Sequence, residues 1–151
     1  MSRRRRAGDP AAYVPDMADQ KTLILCKPDA VRRRLTGEII KRFEDKGFTI
    51  ESLKKMTLDR ETAAKHYAEH DGKPFFDDLL SFITGGPIVA MCVSGPEAIS
   101  VCRLLMGATK FTEAAPGTIR GDYAHSFTEN LVHGSDSPES AERELKLFFG
   151  E

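Results

Sequence analysis

The amino-acid sequence predicts a single α/β domain in which helices are layered against a β-sheet. Residues 22–26 and 87–93 are short, almost wholly apolar runs, which is typical of strands covered on both faces. Segments with helical spacing of their apolar residues separate the strands, and no two-residue hairpin signal joins them. A chain of 151 residues is long enough for one substantial core but not for two.

The first 20 residues differ in composition from the rest of the chain. Four arginines, Arg3 to Arg6, are followed by glycine, prolines and scattered aspartates without a hydrophobic period. We expect a disordered tail over residues 1–20 and a folded domain over residues 21–151. The arginine run could make a weak contact with nucleic acid or an anionic surface, but a solvated tail is the preferred interpretation. Met17 would also make a natural start of the chain.

The first half of the domain alternates strand and helix. After the strand at 22–26, residues 37–46 carry apolar side chains at helical spacing, and Gly47 follows as a C-terminal cap. Residues 48–58 begin with an apolar alternation that slips phase at Leu53, which indicates a strand with an irregularity. Asp59 then caps a further predicted helix.

The second half continues the alternation. A predicted helix opens at Pro74, the apolar run at 87–93 forms a central strand, and the next helix ends at Gly107. Residues 108–118 have no period, which favours a long functional loop.

The end of the chain returns from strand to helix. A short strand around Leu131 and Val132 leads into the closing helix over residues 138–148. Either Asp136 or Ser137 caps that helix, and Pro138 occupies its first turn, where a missing N–H costs nothing.

Composition excludes several classes of protein. An apolar content of 40% and a charged content of 30% are ordinary for a globular protein, and the net charge of −1 argues against a specific nucleic-acid binder. Cys26 and Cys92 lie within apolar runs and there are three cysteines, so we expect buried reduced thiols and a cytoplasmic protein. No apolar run approaches the roughly 20 residues that cross a bilayer.

One histidine stands among small and polar neighbours instead of core residues. His133 lies in the segment Asn130-Leu131-Val132-His133-Gly134-Ser135-Asp136, just before the predicted closing helix. An imidazole there can act as a nucleophile or as a general acid and base, and the helix N-terminus favours an anionic ligand. Gly134 would let a bulky phosphate or acyl group approach. A surface histidine without a role is the alternative interpretation of this residue by itself.

This segment resembles the active-site signature of nucleoside diphosphate kinases, and the resemblance extends from about residue 21 to 149. The other matching segments occur in the family's order and are Lys27-Pro28-Asp29, His66-Tyr67, Lys73-Pro74-Phe75-Phe76, Gly86-Pro87, Arg103, Met106-Gly107-Ala108-Thr109 and Pro116-Gly117-Thr118-Ile119-Arg120-Gly121. The resemblance implies a ferredoxin-like fold, a four-stranded antiparallel sheet with helices on one face. It also implies that His133 takes the γ-phosphoryl group of a nucleoside triphosphate and returns it to a diphosphate in a ping-pong cycle.

The resemblance also implies roles for the other polar residues. Glu144 would orient His133, and Ser135 joins the catalytic set. The family's phosphate and sugar contacts match Lys27, Tyr67, Arg103, Thr109, Arg120 and Asn130. No Gly-x-x-x-x-Gly-Lys-Ser/Thr loop is present in the sequence, so these side chains would have to hold the phosphates. Magnesium would arrive with the nucleotide, with Asp136 as its indirect ligand through water.

For the nucleotide base, the resemblance implies Phe75 as a stacking wall, Leu79 beside it and Phe127 near the opposite face. Stacking accepts any base, so purine and pyrimidine diphosphates are expected substrates. The chain departs from the family pattern at Phe127, usually a smaller aliphatic, and at Lys110-Phe111, which replaces the usual Asn-Pro.

Family members work as oligomers, and we expect a homo-oligomer, with a hexamer favoured over a tetramer. Phe111 and Pro116 in the 108–118 loop are the predicted subunit contacts. Two rival interpretations remain open at this point. One is a phosphohistidine carrier that serves a protein partner, and the other is a non-catalytic or regulatory homologue that keeps only the fold.

Overall fold

The computed structural model describes residues 19–150, so residues 1–18 of the predicted tail lie outside the described residues. Gln20, which was placed at the end of that tail, is instead the first residue of a strand. Its four-stranded sheet consists of β1 (Gln20–Cys26), β2 (Thr49–Met56), β3 (Ile88–Gly95) and β4 (Val132–Gly134). The spatial order is β2-β3-β1-β4, and every neighbouring pair is antiparallel. The antiparallel four-stranded sheet expected from the sequence is therefore confirmed.

Seven α-helices and two short 3₁₀ turns surround the sheet in the described part of the chain. They are α1 (Pro28–Arg32), α2 (Thr36–Lys46), α3 (Arg60–His66), a 3₁₀ turn (Ala68–His70), α4 (Phe76–Thr84), α5 (Ala98–Met106), a 3₁₀ turn (Phe111–Glu113), α6 (Ile119–Tyr123) and α7 (Pro138–Phe149). The sequence did not predict α1 and α6, because five residues are too few to show a helical period.

Both faces of the sheet are buried, because alternate residues of each central strand point to opposite sides. Ile24 of β1 belongs to a core that contains Phe43 of α2 and Met106 of α5. Leu25 belongs to a second core, with side chains from α3, α4 and α7. The expectation of helices on one face only is thus corrected. The all-apolar runs at β1 and β3 have the pattern of strands covered on both sides.

Local signals in the sequence correspond to identifiable features of the fold. The register of β2 against β3 shifts between Ile50 and Ser52, which is the irregularity that the phase slip near Leu53 indicated. Asp59 caps α3 by accepting a hydrogen bond from the Thr62 backbone N–H at 2.7 Å. Ser137, and not Asp136, caps α7, because the Ser137 hydroxyl accepts from the Ser140 N–H at 3.1 Å.

Cys26, Cys92 and Cys102 are buried, and no disulfide joins any two of them. Burial raises the pKa of Cys26 and of Cys102 to about 12, so both remain protonated. Across residues 19–150, no helix combines the length and the apolarity needed to cross a membrane.

Candidate active site

His133 lies in the middle of β4, opposite Leu25 of β1, and its ring is partly exposed. It borders a cavity of about 390 Å³. The other predicted site residues that line this cavity are Lys27, Tyr67, Phe75, Leu79, Arg103, Thr109, Arg120, Phe127 and Asn130. Another cavity of the same volume, between β1, β2 and α7, contains neither His133 nor an arginine. The fold therefore gathers residues from across the chain around the candidate nucleophile.

Glu144 of α7 holds one nitrogen of the histidine. Its Oε1 lies 2.7 Å from Nε2 of His133 and accepts a second hydrogen bond from the Ser135 hydroxyl at 3.0 Å. Ser135 is buried and accepts from the Leu23 N–H, which ties the carboxylate to β1. Because a carboxylate accepts, Nε2 carries the proton, and Nδ1 keeps its lone pair.

A second histidine, His66, packs edge-on against His133 with ring centroids 4.6 Å apart. It is 3% exposed, and neither of its ring nitrogens has a hydrogen-bond partner among the described residues. Burial lowers the pKa of His66 well below its ordinary value of 6.5, and the nearby His133 and Arg143 lower it further. His66 is therefore a neutral wall behind the nucleophile at physiological pH.

His66, His133 and Glu144 together place three possible metal-binding atoms within 4.8 Å of one another. The Glu144 oxygen that faces His133 is already engaged by two donors, and Arg143 Nη2 lies 3.6 Å from its other oxygen. The cationic Lys27 and Arg143 act electrostatically on His66. These surroundings favour an anion over a cation.

Lys27 follows β1 directly and points into the cavity. Its Nζ donates to Oδ1 of Asn130 at 2.8 Å. Burial and the nearby Arg120 lower the pKa of Lys27 to about 8, although Asp29 acts in the opposite direction. A bound anion would favour the charged form of this amine.

Arg120 of α6 is buried and bonded to the backbone. Its guanidinium donates to three carbonyl oxygens, those of Gly107, Asn130 and Val132, at 2.9, 3.2 and 2.8 Å. Burial and the positive charge of Arg103 lower the pKa of Arg120 to about 10. The residue therefore links the three segments that border the cavity, a structural role that the sequence did not reveal.

Arg103 and Tyr67 border the cavity from α5 and from the end of α3. The guanidinium of Arg103 donates to the carbonyl of Gly134 at 3.0 Å, which positions it one residue from His133. The Tyr67 side chain is buried, and its burial raises the hydroxyl pKa to about 12. Tyr67 therefore stays a hydrogen-bond donor at every physiological pH.

The segment before β4 is held in an unusual conformation. Leu131 is buried and has a left-handed φ of 75°, which is rare for a leucine. Its N–H donates to the Asp29 carboxylate at 3.0 Å, and its carbonyl accepts from the Lys27 N–H at 2.8 Å. These bonds fix Asn130 beside Lys27. They also explain why the strand begins at Val132 and not at Leu131 as expected.

Gly134 has a different role from the one that the sequence suggested. A Cβ atom there would lie 2.7 Å from Cε of Met106 and 3.3 Å from Cδ1 of Ile24. These atoms belong to the core on the side of the sheet opposite His133. Close packing of β4 against α5, and not access for a phosphate, accounts for the missing side chain.

Aromatic rings border the other end of the cavity. Phe75 is 45% exposed and Phe127 is 61% exposed, and both line the cavity. Phe111 was expected to be an exposed loop residue, but it is half-buried, and its ring lies 4.8 Å from that of Phe127 at an angle of 49°. A partner within the same chain therefore explains this loop phenylalanine, which removes one reason to expect a subunit contact there.

Asp136 lines a smaller adjoining cavity of about 160 Å³ with His133 and Arg103. It is exposed, and a hydrogen bond from Ser140 and the charge of Arg103 lower the pKa of its carboxyl group. An ionised and accessible carboxylate beside the nucleophile fits an ion held through water.

His66 and Asp29 have roles in the structure that no pattern in the sequence indicated. Both residues occur in segments that carry the family resemblance, and this position was the only sign of a role in the sequence. Neither the burial of His66 nor the hydrogen bond that Asp29 accepts from Leu131 follows from a local sequence pattern.

Residues 20–151 match the family model described as nucleoside diphosphate kinase. A protein of that name from Rubrobacter xylanophilus is 63% identical over 131 residues, which cover 87% of this chain and 98% of the relative. One from Deinococcus radiodurans is 56% identical over 132 residues, with 87% and 96% covered.

Solved structures give the same assignment. A halophilic nucleoside diphosphate kinase from Halobacterium salinarum, in complex with CDP, has a TM-score of 0.86 and 50% identity, and 89% of this chain and 90% of that chain are covered. The enzyme from Encephalitozoon cuniculi has a TM-score of 0.86 and 42% identity, with 87% and 90% covered. By sequence and by fold, this chain belongs to the nucleoside diphosphate kinase family.

Proposed function

We propose that this protein transfers the γ-phosphoryl group of a nucleoside triphosphate, mainly ATP, to a nucleoside diphosphate through a phosphohistidine at His133. The observation that carries the proposal is the 2.7 Å contact between Nε2 of His133 and Glu144 at the border of a cavity lined by Lys27, Arg103 and Arg120. A nucleophilic imidazole requires a partner that orients it, which the buried Glu144 carboxylate provides. A phosphate chain requires positive charge, which the three cations provide.

In the first half-reaction, the Nδ1 lone pair of His133 attacks the γ-phosphorus. A P–N bond forms, the bond to the β,γ-bridging oxygen breaks, and the diphosphate leaves with that electron pair. The Nε2 proton stays on its hydrogen bond to Glu144, which stabilises the positive charge that develops on the ring. The second half-reaction reverses these steps with another diphosphate, so the cycle is ping-pong.

Charge around the moving group comes from side chains. Lys27, Arg103 and Arg120 line the cavity that His133 borders, although they come from three separate segments of the chain. Tyr67 and Thr109 add hydroxyl donors, and Asn130, held by Lys27, serves the sugar hydroxyls. Positioning and charge neutralisation supply most of the acceleration in phosphoryl transfer.

A magnesium ion that enters with the nucleotide would neutralise phosphate charge during transfer. The exposed and ionised Asp136 fits an indirect contact with that ion through water. Few protein ligands are needed, because magnesium retains most of its water shell.

The base would stack on Phe75, with Leu79 beside it, at the aromatic end of the cavity. Stacking does not read base edges, so we expect purine and pyrimidine diphosphates, and ribose and deoxyribose forms, to be substrates.

The decisive experiment incubates the protein with γ-³²P-ATP and then with GDP, without any other protein. The proposal requires an acid-labile and alkali-stable adduct that His133→Ala abolishes and that GDP discharges as GTP. A phosphocarrier would form or discharge the adduct only with a protein partner, and a non-catalytic homologue would form none. Labelling that persists in His133→Ala, or that lies on Ser135, would contradict the proposal.

We also propose a homo-oligomer, with a hexamer favoured over a tetramer, on the basis of the family alone. Light scattering should give six times the chain mass of 16.7 kDa. A monomer mass would contradict the oligomer, and a tetramer mass would contradict only its order.

A further inference from the structure

We infer that Phe111 is a positioning residue that holds Phe127 as a second aromatic wall of the base site, so that this chain favours purine over pyrimidine nucleotides in binding. The inference rests on the proposed function for the location of the base. It adds a residue outside the cavity to the set that determines nucleotide affinity.

Phe127 is in an energetically unusual position. Its ring is 61% exposed although it borders a cavity, and it lies in a segment without regular secondary structure between α6 and β4. Contact of an apolar ring with water is unfavourable, so a flat ligand that covers the exposed face of Phe127 would be bound favourably.

Two contacts fix Phe127 in place. Its carbonyl accepts a hydrogen bond from Nδ2 of Asn130 at 3.3 Å, and Asn130 in turn accepts from Nζ of Lys27. The other contact is the ring of Phe111, 4.8 Å away and tilted by 49°, a geometry favoured by aromatic pairs. The first contact positions the backbone, and the second acts on the side chain.

Phe111 reaches Phe127 from a separate segment of the chain. It begins the 3₁₀ turn Phe111–Glu113, next to Lys110, while Phe127 lies 16 positions further along the chain. Phe127 lines the cavity and Phe111 does not, so Phe111 contacts the Phe127 ring without occupying the space for a base. A ring that is supported on one face in this way keeps its other face available for a base.

The selectivity follows from ring size. Phe75 alone offers one stacking face, whereas Phe75 and Phe127 together offer two faces at one cavity. A two-ring purine covers more of an aromatic face than a one-ring pyrimidine, so a second stacking face stabilises a bound purine more. Loss of the second wall should therefore weaken ADP binding more than CDP binding.

The test measures dissociation constants of ADP, CDP and inorganic tripolyphosphate by calorimetry for the full chain and for Phe127→Leu, Phe111→Leu and the double variant. Phe111→Tyr keeps the ring and is the conservative variant. Phe149→Leu, on α7 and outside this cavity, is the matched control.

We expect Phe127→Leu to weaken ADP binding about 5- to 10-fold and CDP binding about 2- to 3-fold, in line with the loss of one stacking contact. Phe111→Leu should give most of the same loss, and the double variant should lose no more than Phe127→Leu does, because Phe111 acts through Phe127. Phe111→Tyr and Phe149→Leu should bind as the wild type does. Tripolyphosphate, which has no base, should bind equally to all variants.

A fluorescent reporter tests the geometry directly. The sequence contains no tryptophan, so Phe127→Trp introduces a single indole. ADP should quench its emission while tripolyphosphate does not, and adding Phe111→Leu should reduce that quenching. Unchanged ADP affinity in Phe111→Leu, or additive losses in the double variant, would overturn the inference. If ADP binds as described but no phosphoryl transfer occurs, the proposed function fails while the second wall stands.

Discussion

Oε1 of Glu144 lies 2.7 Å from Nε2 of His133 and also accepts the hydroxyl hydrogen of Ser135. One buried carboxylate oxygen therefore determines which nitrogen of the histidine carries the proton. The nitrogen that remains free, Nδ1, is the one that can form a bond to phosphorus.

Glu144→Gln should slow formation of the phosphoenzyme. A glutamine amide has one oxygen and one nitrogen, so it can present a donor to Nε2 and favour the wrong tautomer. We expect a loss of roughly 10- to 100-fold in the rate of labelling by ATP, by analogy with the loss of carboxylates that orient metal-binding histidines. Rapid-quench labelling measures this rate.

Glu142→Gln is the control for that experiment, because Glu142 lies on the same helix but its exposed side chain pairs with Lys146 on the surface. Equal rates for Glu144→Gln and the wild type would show that the carboxylate does not orient the nucleophile.

Arg120→Lys should destabilise the fold as well as weaken phosphate binding. An ammonium group cannot reproduce a fork that donates to three carbonyls, and each buried acceptor left without a donor costs about 1–3 kcal/mol. We expect the free energy of unfolding in urea to fall by about 2–5 kcal/mol. Arg103→Lys should cost less, because Arg103 is exposed and donates to the single carbonyl of Gly134. Equal losses for the two variants would contradict the structural role of Arg120.

Sequence patterns predicted those elements of the fold that have a local cause. The all-apolar runs became β1 and β3, and Asp59 and Ser137 cap helices at positions that their side-chain chemistry favours. The predicted irregularity of β2 is a register shift. Each of these features depends on residues close together in the chain, so a single sequence contains the information.

The parts that escaped prediction depend on contacts between distant segments. The three carbonyls that Arg120 binds, the left-handed Leu131 that Asp29 holds and the packing of Phe111 on Phe127 leave no period in the sequence. Gly134 was assigned to phosphate access because its neighbour Met106 comes from another element. For the site itself, the order of the family motifs supplied the residues, and the fold supplied the distances.

The buried His66 should make the protein sensitive to acid. Its folded pKa lies well below 6.5, so below about pH 6.5 the unfolded chain binds a proton that the folded chain does not. The contribution of neutral His66 to the free energy of unfolding is complete above about pH 6.5, and it is lost as the pH falls toward the lowered pKa of the folded protein. We expect the melting temperature of His66→Asn to fall less steeply with acidification than that of the wild type. His125→Asn, a change at an exposed histidine, should leave the slope unchanged, and parallel slopes for His66→Asn and the wild type would contradict the assignment.

Lys27 should set the alkaline limit of nucleotide capture. Its pKa of about 8 in the free protein means that the amine is charged below that pH and loses its charge above it. Because kcat/KM reports the free protein, we expect it to decline above about pH 8, with ATP phosphates fully ionised throughout. A bound phosphate chain stabilises the charged amine, so kcat should stay constant to a higher pH than kcat/KM.

In Lys27→Arg the guanidinium remains charged, and the decline near pH 8 should disappear even if the overall rate is lower. A wild-type kcat/KM that stays level well past pH 8, or a decline that survives in Lys27→Arg, would show that another group sets the limit.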